Sequence, residues 1–162
     1  MAAGPTSTYK LWQRSRGKPG GARAFSVGVS MKAPYFRTIN PVVRELEPGR
    51  CVASAPKWWG VHNHIGTFHA IAACNLAEFA MGMVAESTIP SSHRWLPKGM
   101  TVSYLAKAET SLTATATLDA PADFGDIGDG TEIVVPVSIV DKGGTEVVHA
   151  DITIWVTPKP AR

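Results

Sequence analysis

The chain has 162 residues, of which 44% are hydrophobic and 18% are charged, and its formal net charge at pH 7 is +3. These values are typical of one globular domain with a sizeable core, and they exclude an intrinsically disordered chain. The two cysteines are not at metal-binding spacing and form no disulfide framework, so we expect a reducing, cytoplasmic setting, with no metal ion and no cofactor.

Basic residues are concentrated at the start of the chain. Residues 1–44 hold eight of the 16 lysines and arginines and no acidic residue. Two short helices, at 8–16 and 22–33 with a glycine-rich break between them, are predicted here, and we assign 1–33 to an N-terminal helical arm. Such an arm indicates a solvated surface, or contact with a phosphorylated ligand, a nucleic acid or an anionic membrane. Basic and aromatic residues are not interleaved, so we expect no nucleic-acid partner.

Residues 34–162 are predicted to form the main domain. Runs rich in β-branched residues surround one long apolar segment, which predicts an α+β fold with about six antiparallel strands around one central helix. The predicted elements are strands at 38–46 and 50–55, the helix within 65–85, and strands at 98–107, 111–118, 132–140 and 146–157. One sheet covers only one side of the helix, so we expect a second subunit to cover the other, in a dimer or a dimer of dimers.

The long apolar segment contains a single residue that is ionised at neutral pH, Glu78. Residues 65–85 are numerous enough to span a bilayer, but an acid near the middle of a membrane helix costs about 2.5–3.5 kcal/mol. We therefore expect a helix buried in protein and no membrane span. None of the residues three, four or seven positions from Glu78 is a cation. An unpaired buried carboxylate is expensive, so Glu78 is predicted to be either a functional group or a group satisfied by the partner subunit.

Three polar residues stand at fixed spacing around the start of the predicted helix. His69 follows Asn63 by six residues, and Glu78 follows His69 by nine, at the end of the run Leu76-Ala77-Glu78. This pattern resembles the motif of the phenylacetate-type acyl-CoA thioesterases of the hotdog superfamily. Those proteins read Asn, then His-Gly-Gly six residues later, then Leu-Ala-Asp on the central helix.

The match is nearest to an uncharacterised hotdog-like branch, a domain of unknown function. In that branch, runs similar to 62–67 and 94–100 of this chain also recur. The resemblance covers about residues 38–157 and implies the hotdog fold, in which the sheet is wrapped around the central helix. It also implies hydrolysis of an acyl-CoA or acyl-carrier thioester, a small-molecule substrate.

The resemblance assigns roles to the matching residues. Glu78 corresponds to the general base or nucleophile that attacks the thioester. Asn63 corresponds to the residue that orients the water or the substrate carbonyl from the other protomer, and His69 to a positioning histidine. The backbone N–H groups of Ala70 and Ile71 correspond to the oxyanion hole at the start of the helix.

Two departures from the family pattern keep other functions open. Ala70 and Ile71 replace the glycine pair, and the β-branched side chain of Ile71 crowds the path of a pantetheine arm. Glu78 replaces the aspartate. A non-catalytic acyl-CoA-binding role is therefore a second hypothesis. A hotdog dehydratase or hydratase is a third, because His64 precedes Glu78 by fourteen residues as in those enzymes, although Ala72-Ala73 replaces their Pro-Gly step.

Further residues are candidates for substrate binding. Those around the motif are predicted to line an acyl or aromatic pocket, with core or interface packing as the alternative for the aromatic ones. They are Trp58, Trp59, His64, Gly66 and Phe68. Arg94 and Lys107 are predicted to contact the nucleotide phosphates of coenzyme A, with a solvated surface as the alternative.

Overall fold

The computed structural model describes residues 4–121 and 123–160. The chain forms three α-helices, which are α1 (Ser7–Ser15), α2 (Gly21–Lys32) and α3 (Ala70–Thr88). It also forms six strands, which are β1 (Val42–Glu47), β2 (Arg50–Ala55), β3 (His93–Tyr104), β4 (Leu112–Thr117), β5 (Thr131–Val140) and β6 (Glu146–Pro158). Both the number of strands and the single long helix confirm the sequence prediction.

The strands form one antiparallel sheet in the order β1-β2-β4-β5-β6-β3. The predicted turn between β5 and β6 is built by Asp141, whose carboxylate accepts hydrogen bonds from the N–H groups of Gly143 at 2.8 Å and Thr145 at 2.9 Å. Gly144 takes a φ of 83°, a left-handed conformation that favours glycine. This turn sets the register of β5 against β6.

Helix α3 lies across the sheet and contacts all six strands. Its side chains Leu76, Phe79 and Met81 are fully buried, together with Leu112 of β4 and Ile139 of β5. The alternating burial of β4, in which every second residue is buried, directs one face of the strand toward the helix. The core therefore lies between one sheet and one helix, as the sequence predicts.

The starts of two strands differ most from the prediction. The first strand begins at Val42, because Pro34–Thr38 forms a short 3-10 helix. Strand β3 begins at His93 and passes through Pro97, where its pairing with β6 shifts register before Gly99. A proline is tolerated at such a bulge because no ladder hydrogen bond is needed there.

The helices of the N-terminal arm pack against β1. Trp12 and Phe25 are buried in the same core as the sheet, and their rings meet edge to face at 5.2 Å. Trp12 Nε1 donates a hydrogen bond of 3.0 Å to the Leu46 carbonyl, and the Val43 N–H donates one of 2.9 Å to Ser26 Oγ. The arm thus covers the outer edge of β1, while a domain boundary at 33/34 stays a prediction.

Among the residues that the structure describes, no helix combines the length and the apolar character that a membrane crossing requires.

Candidate active site

Asn63 organises the loop that leads into α3. Its Oδ1 accepts hydrogen bonds from the N–H groups of Ile65 at 3.1 Å and Thr67 at 3.0 Å, and its Nδ2 donates to Thr67 Oγ1 at 2.7 Å. The loop closes because asparagine side chains readily replace backbone groups in turns, and Gly66 has a φ of 77°. Its oxygen is thus committed to the loop, and the second N–H of its amide is the group that remains for a substrate.

His69 caps the start of α3. Its Nδ1 accepts a hydrogen bond of 3.1 Å from the Ile71 N–H, and its own N–H donates to the Val61 carbonyl at 2.7 Å. An accepting Nδ1 assigns the ring proton to Nε2 in this arrangement. The Ile71 N–H of the predicted oxyanion hole is therefore engaged by His69. The Ala70 N–H has no hydrogen-bond partner within residues 4–121 and 123–160.

Glu78 lies on the one face of α3 that the sheet does not cover. Ile71, Cys74 and Glu78, spaced three or four residues apart, form this open face, and the Ile71 side chain is 56% exposed. In the single chain Glu78 is exposed, so the expectation of a helix buried on nearly all sides is wrong for one subunit. The physical reason is that a single sheet packs against only one side of a helix.

Cys74 and Tyr104 form a polar contact on the same face. Cys74 Sγ lies 3.3 Å from the Tyr104 hydroxyl at the end of β3. This hydrogen bond, more than partial burial, raises the pKa of Tyr104 above its ordinary value. Sequence reasoning missed both residues, because Cys74 is one apolar residue among many in the helix. The available signal is its position one turn before Glu78.

The predicted aromatic residues divide into two groups. Phe68 is buried in the core at 3% exposure, whereas Trp58 is 43% and Trp59 is 83% exposed. The Trp58 ring lies across Gly60, where an added Cβ would come within 2.2 Å of it. The two tryptophans thus form an exposed apolar surface beside the loop that Asn63 organises. His64 and Gly66 lie in that loop and are exposed.

Arg94 and Lys107 are exposed and lie far apart in the single chain. Arg94 is near the start of β3, and Lys107 follows the end of the same strand. A strand rises by about 3.3 Å per residue, so the ten residues from Arg94 to Tyr104 span roughly 33 Å. One subunit therefore does not bring these two cations to one ligand.

Residues 21–156 match the family model described as a domain of unknown function, DUF4442. The chain belongs to this family. The chain in the crystal structure of genomics APC5556 has 38% sequence identity to this chain. The alignment covers 94% of this chain and 99% of that chain, with a TM-score of 0.79. A Pseudomonas aeruginosa protein of unknown function, described as a probable thioesterase, is 21% identical, with 97% and 99% covered and a TM-score of 0.76. No curated protein matches the chain.

A Staphylococcus aureus thioesterase is 20% identical, with 77% of this chain and 99% of that chain covered and a TM-score of 0.67. It was crystallised as two variants, in which a glutamine and a glutamate fifteen positions apart are each replaced by alanine. These likenesses confirm the hotdog fold and the uncharacterised hotdog-like branch that the sequence predicts for the DUF4442 chain.

Proposed function

We propose that the protein hydrolyses an acyl-CoA or acyl-carrier thioester at a site shared by two subunits, with Glu78 as the general base or nucleophile. The observation that carries this proposal is the position of Glu78. It is the one carboxylate on the open face of α3, and it is the one ionised residue of the stretch 65–85. The fifteen residues from Asn63 to Glu78 equal the separation of the two residues replaced in the staphylococcal thioesterase, which supports a paired role.

The second subunit is inferred from the edges of the sheet. The arm covers β1, whereas β3 has a neighbouring strand, β6, on one side only. Open edges pair readily with another chain, and a symmetric pair of β3 strands would run antiparallel. Such a pair would place the start of one β3 beside the end of the other. Arg94 would then approach Lys107 of the partner subunit, so that both cations serve one ligand.

The chemistry follows from the groups at the start and middle of α3. As a base, Glu78 takes a proton from a water molecule whose oxygen attacks the thioester carbonyl carbon. As a nucleophile, its carboxylate attacks the same carbon directly, and expulsion of the thiolate gives an anhydride that water then cleaves. In both routes the carbonyl oxygen becomes an oxyanion, which the Ala70 N–H at the positive end of the partner's helix stabilises. The C–S bond then breaks, and the thiolate leaves and takes up a proton.

A non-catalytic acyl-CoA-binding role is the second candidate. The observation that favours it is the exposed Ile71 side chain at the start of α3, where the thioesterase motif has glycine. An isoleucine there narrows the approach to the Ala70 N–H. Such a protein would bind the thioester without cleaving it.

Turnover of a panel of acyl-CoA thioesters, followed by release of free thiol, separates these functions. We expect hydrolysis, and a fall of about 10²-fold or more in kcat for Glu78→Gln, because the amide cannot accept the proton. Glu47→Gln, an exposed glutamate on β1, is the matched control and is expected to keep its activity. Equal turnover in both variants would remove Glu78 from the mechanism. Binding of acyl-CoA without turnover would favour the acyl-binding role. Hydration of an enoyl-CoA would favour the hydratase.

The shared site requires a dimer in solution, which light scattering coupled to size exclusion measures. Ile71→Asp is expected to separate the subunits, because it places a charge on the face that the partner covers. The residue is exposed in the single chain, so the fold of each subunit is expected to survive. Leu11→Asp, at an exposed position on α1, is the control. A wild-type monomer at micromolar concentration would contradict the two-subunit site.

A further inference from the structure

A cavity of about 570 Å³ lies at the opposite end of α3 from the loop of Asn63. Its walls are the start of α1, the end of α3, the start of β3 and the residue after β6. Four cations from four separate segments line it: Lys10 and Lys32 from the two helices of the arm, Arg94 from β3, and Lys159. Local sequence does not bring these residues together, so the fold alone assembles the group.

The positive charge of the cavity is not balanced by neighbouring acids. None of the four cations forms an ion pair within the described part of the chain, where the paired basic residues are Arg50, Lys98 and His149. The carboxylate in the lining belongs to Glu86, and its Oε1 accepts a hydrogen bond of 3.3 Å from Trp95 Nε1. Four cations facing one carboxylate give the cavity a positive potential that attracts anions.

Uncharged groups in the wall favour an anion as well. Helix α1 begins at Ser7 in the lining and has no acidic residue in its first turn, so the positive end of its dipole is not neutralised. The hydroxyls of Ser7 and Thr8 lie in the same wall. His93, which is half-buried, also lines the cavity.

The position of the cavity relates it to the open face of α3. Ile89 in the lining is the C-cap of α3 and follows Glu78 by eleven residues, which is roughly 16 Å along the helix axis. Between them the Trp95 ring covers Gly82, where an added Cβ would lie 3.3 Å from it. The cavity is therefore a separate pocket beyond the Trp95 ring.

We propose that this cavity binds the phosphate groups of a nucleotide-bearing ligand, with Lys10, Lys32, Arg94 and Lys159 as the phosphate contacts. Lysine and arginine hold phosphates through charge-assisted hydrogen bonds, and the number of cations suits more than one phosphate. In this proposal the N-terminal arm contributes to ligand binding through Lys10 and Lys32. The source favoured here is the phosphorylated adenosine end of coenzyme A, and this choice of source rests on the proposed function.

Isothermal calorimetry with adenosine 3',5'-bisphosphate and with coenzyme A at low and high ionic strength tests the site without any turnover. We expect both to bind, with binding weakened by salt. In the double variant Lys10→Gln, Lys32→Gln the bisphosphate affinity is expected to fall by about tenfold, since two charge contacts are lost. Lys18→Gln, an exposed lysine of the same arm outside the cavity, is the control and is expected to change affinity by less than about twofold. Arg94→Gln repeats the test from the opposite wall.

Each result decides between the sources or overturns the site. A raised KM for acyl-CoA with unchanged kcat, together with weaker bisphosphate binding, supports the coenzyme end as the ligand. Weaker bisphosphate binding with an unchanged KM supports the cavity as a site for a separate phosphorylated ligand. No bisphosphate binding by the wild-type protein, or an equal loss in Lys18→Gln, overturns the proposal. A protein that binds the bisphosphate but cleaves no thioester would contradict the proposed function alone.

Discussion

The two faces of α3 carry similar residues and differ in what covers them. On the face toward the sheet, Leu76, Phe79 and Val84 are fully buried. On the open face, Ile71 is 56% exposed, Cys74 is partly exposed and Glu78 is exposed. Glu78 and Phe79 are adjacent in sequence and point to opposite environments. A helix that is apolar on a face without cover indicates an interface, either with a second subunit or with a ligand.

The largest loss of stability is expected for a substitution on the face of α3 that the sheet covers. Phe79→Ala removes a fully buried ring that meets Phe36 edge to face at 5.1 Å, and is expected to lower the free energy of unfolding by about 3–5 kcal/mol. Glu78→Gln on the neighbouring open face is expected to change it by less than about 0.5 kcal/mol in the single chain. Urea titrations of both variants measure the contrast. Similar losses in both would show that the open face is as closely packed as the covered one.

The second prediction concerns Cys51, which shares the core with the covered face of α3. Burial raises the pKa of the Cys51 thiol from its ordinary 9.0 to about 12, with smaller opposing effects of Arg50 and Glu45. Above pH 9 the thiol ionises in the unfolded chain but not in the folded one, so stability is lost between about pH 9 and 12. The slope approaches about 1.4 kcal/mol per pH unit.

Urea midpoints measured from pH 8 to 10.5 in wild type and in Cys51→Ala test this slope. The variant is expected to be less stable at pH 8, because it loses a buried sulfur, and to show a shallower alkaline decline. Parallel curves for wild type and Cys51→Ala would mean that the thiol does not contribute to the alkaline decline.

A smaller loss of stability is expected at the start of α3, where His69 caps the helix. His69→Ala removes the Nδ1 that accepts from the Ile71 N–H, and loss of a helix cap costs about 1 kcal/mol. His69→Asn supplies another cap acceptor and is expected to restore most of this stability. If His69 only caps the helix, the asparagine variant is also expected to recover turnover. Restored stability with lost turnover would instead give the imidazole a role toward the substrate.

The smallest effect is expected at Cys74. Cys74→Ala removes the hydrogen bond that raises the pKa of Tyr104, so this pKa is expected to fall back toward its ordinary value. Carbon NMR of labelled tyrosine through an alkaline titration follows Tyr104, and the buried Tyr9 serves as an internal reference. An unchanged Tyr104 titration would show that the contact does not persist in solution.

The fold could be predicted from sequence because its determinants are local. Alternation of apolar residues over 111–118 and 132–140 indicates strands with one buried face, and the glycine turn at 141–144 joins the second of these strands to 146–157 in a hairpin. The spacing of Asn63, His69 and Glu78 was likewise readable, and it led to the uncharacterised branch whose family model matches residues 21–156. Among the strands, the errors were confined to boundaries such as the start of β3, where a bulge tolerates Pro97.

Exposure and contacts at the candidate site were decided by the tertiary structure. The open face of α3 is itself apolar apart from Glu78, so hydropathy does not distinguish a helix side that a sheet covers from one that it leaves open. The contact of Cys74 with Tyr104 joins residues thirty positions apart, and the cationic cavity joins α1, α2, β3 and the residue after β6. Sequence periodicity determines which face of each element is apolar. Only the packing of distant segments determines which of those faces remains uncovered, because that depends on the order of the strands in the sheet.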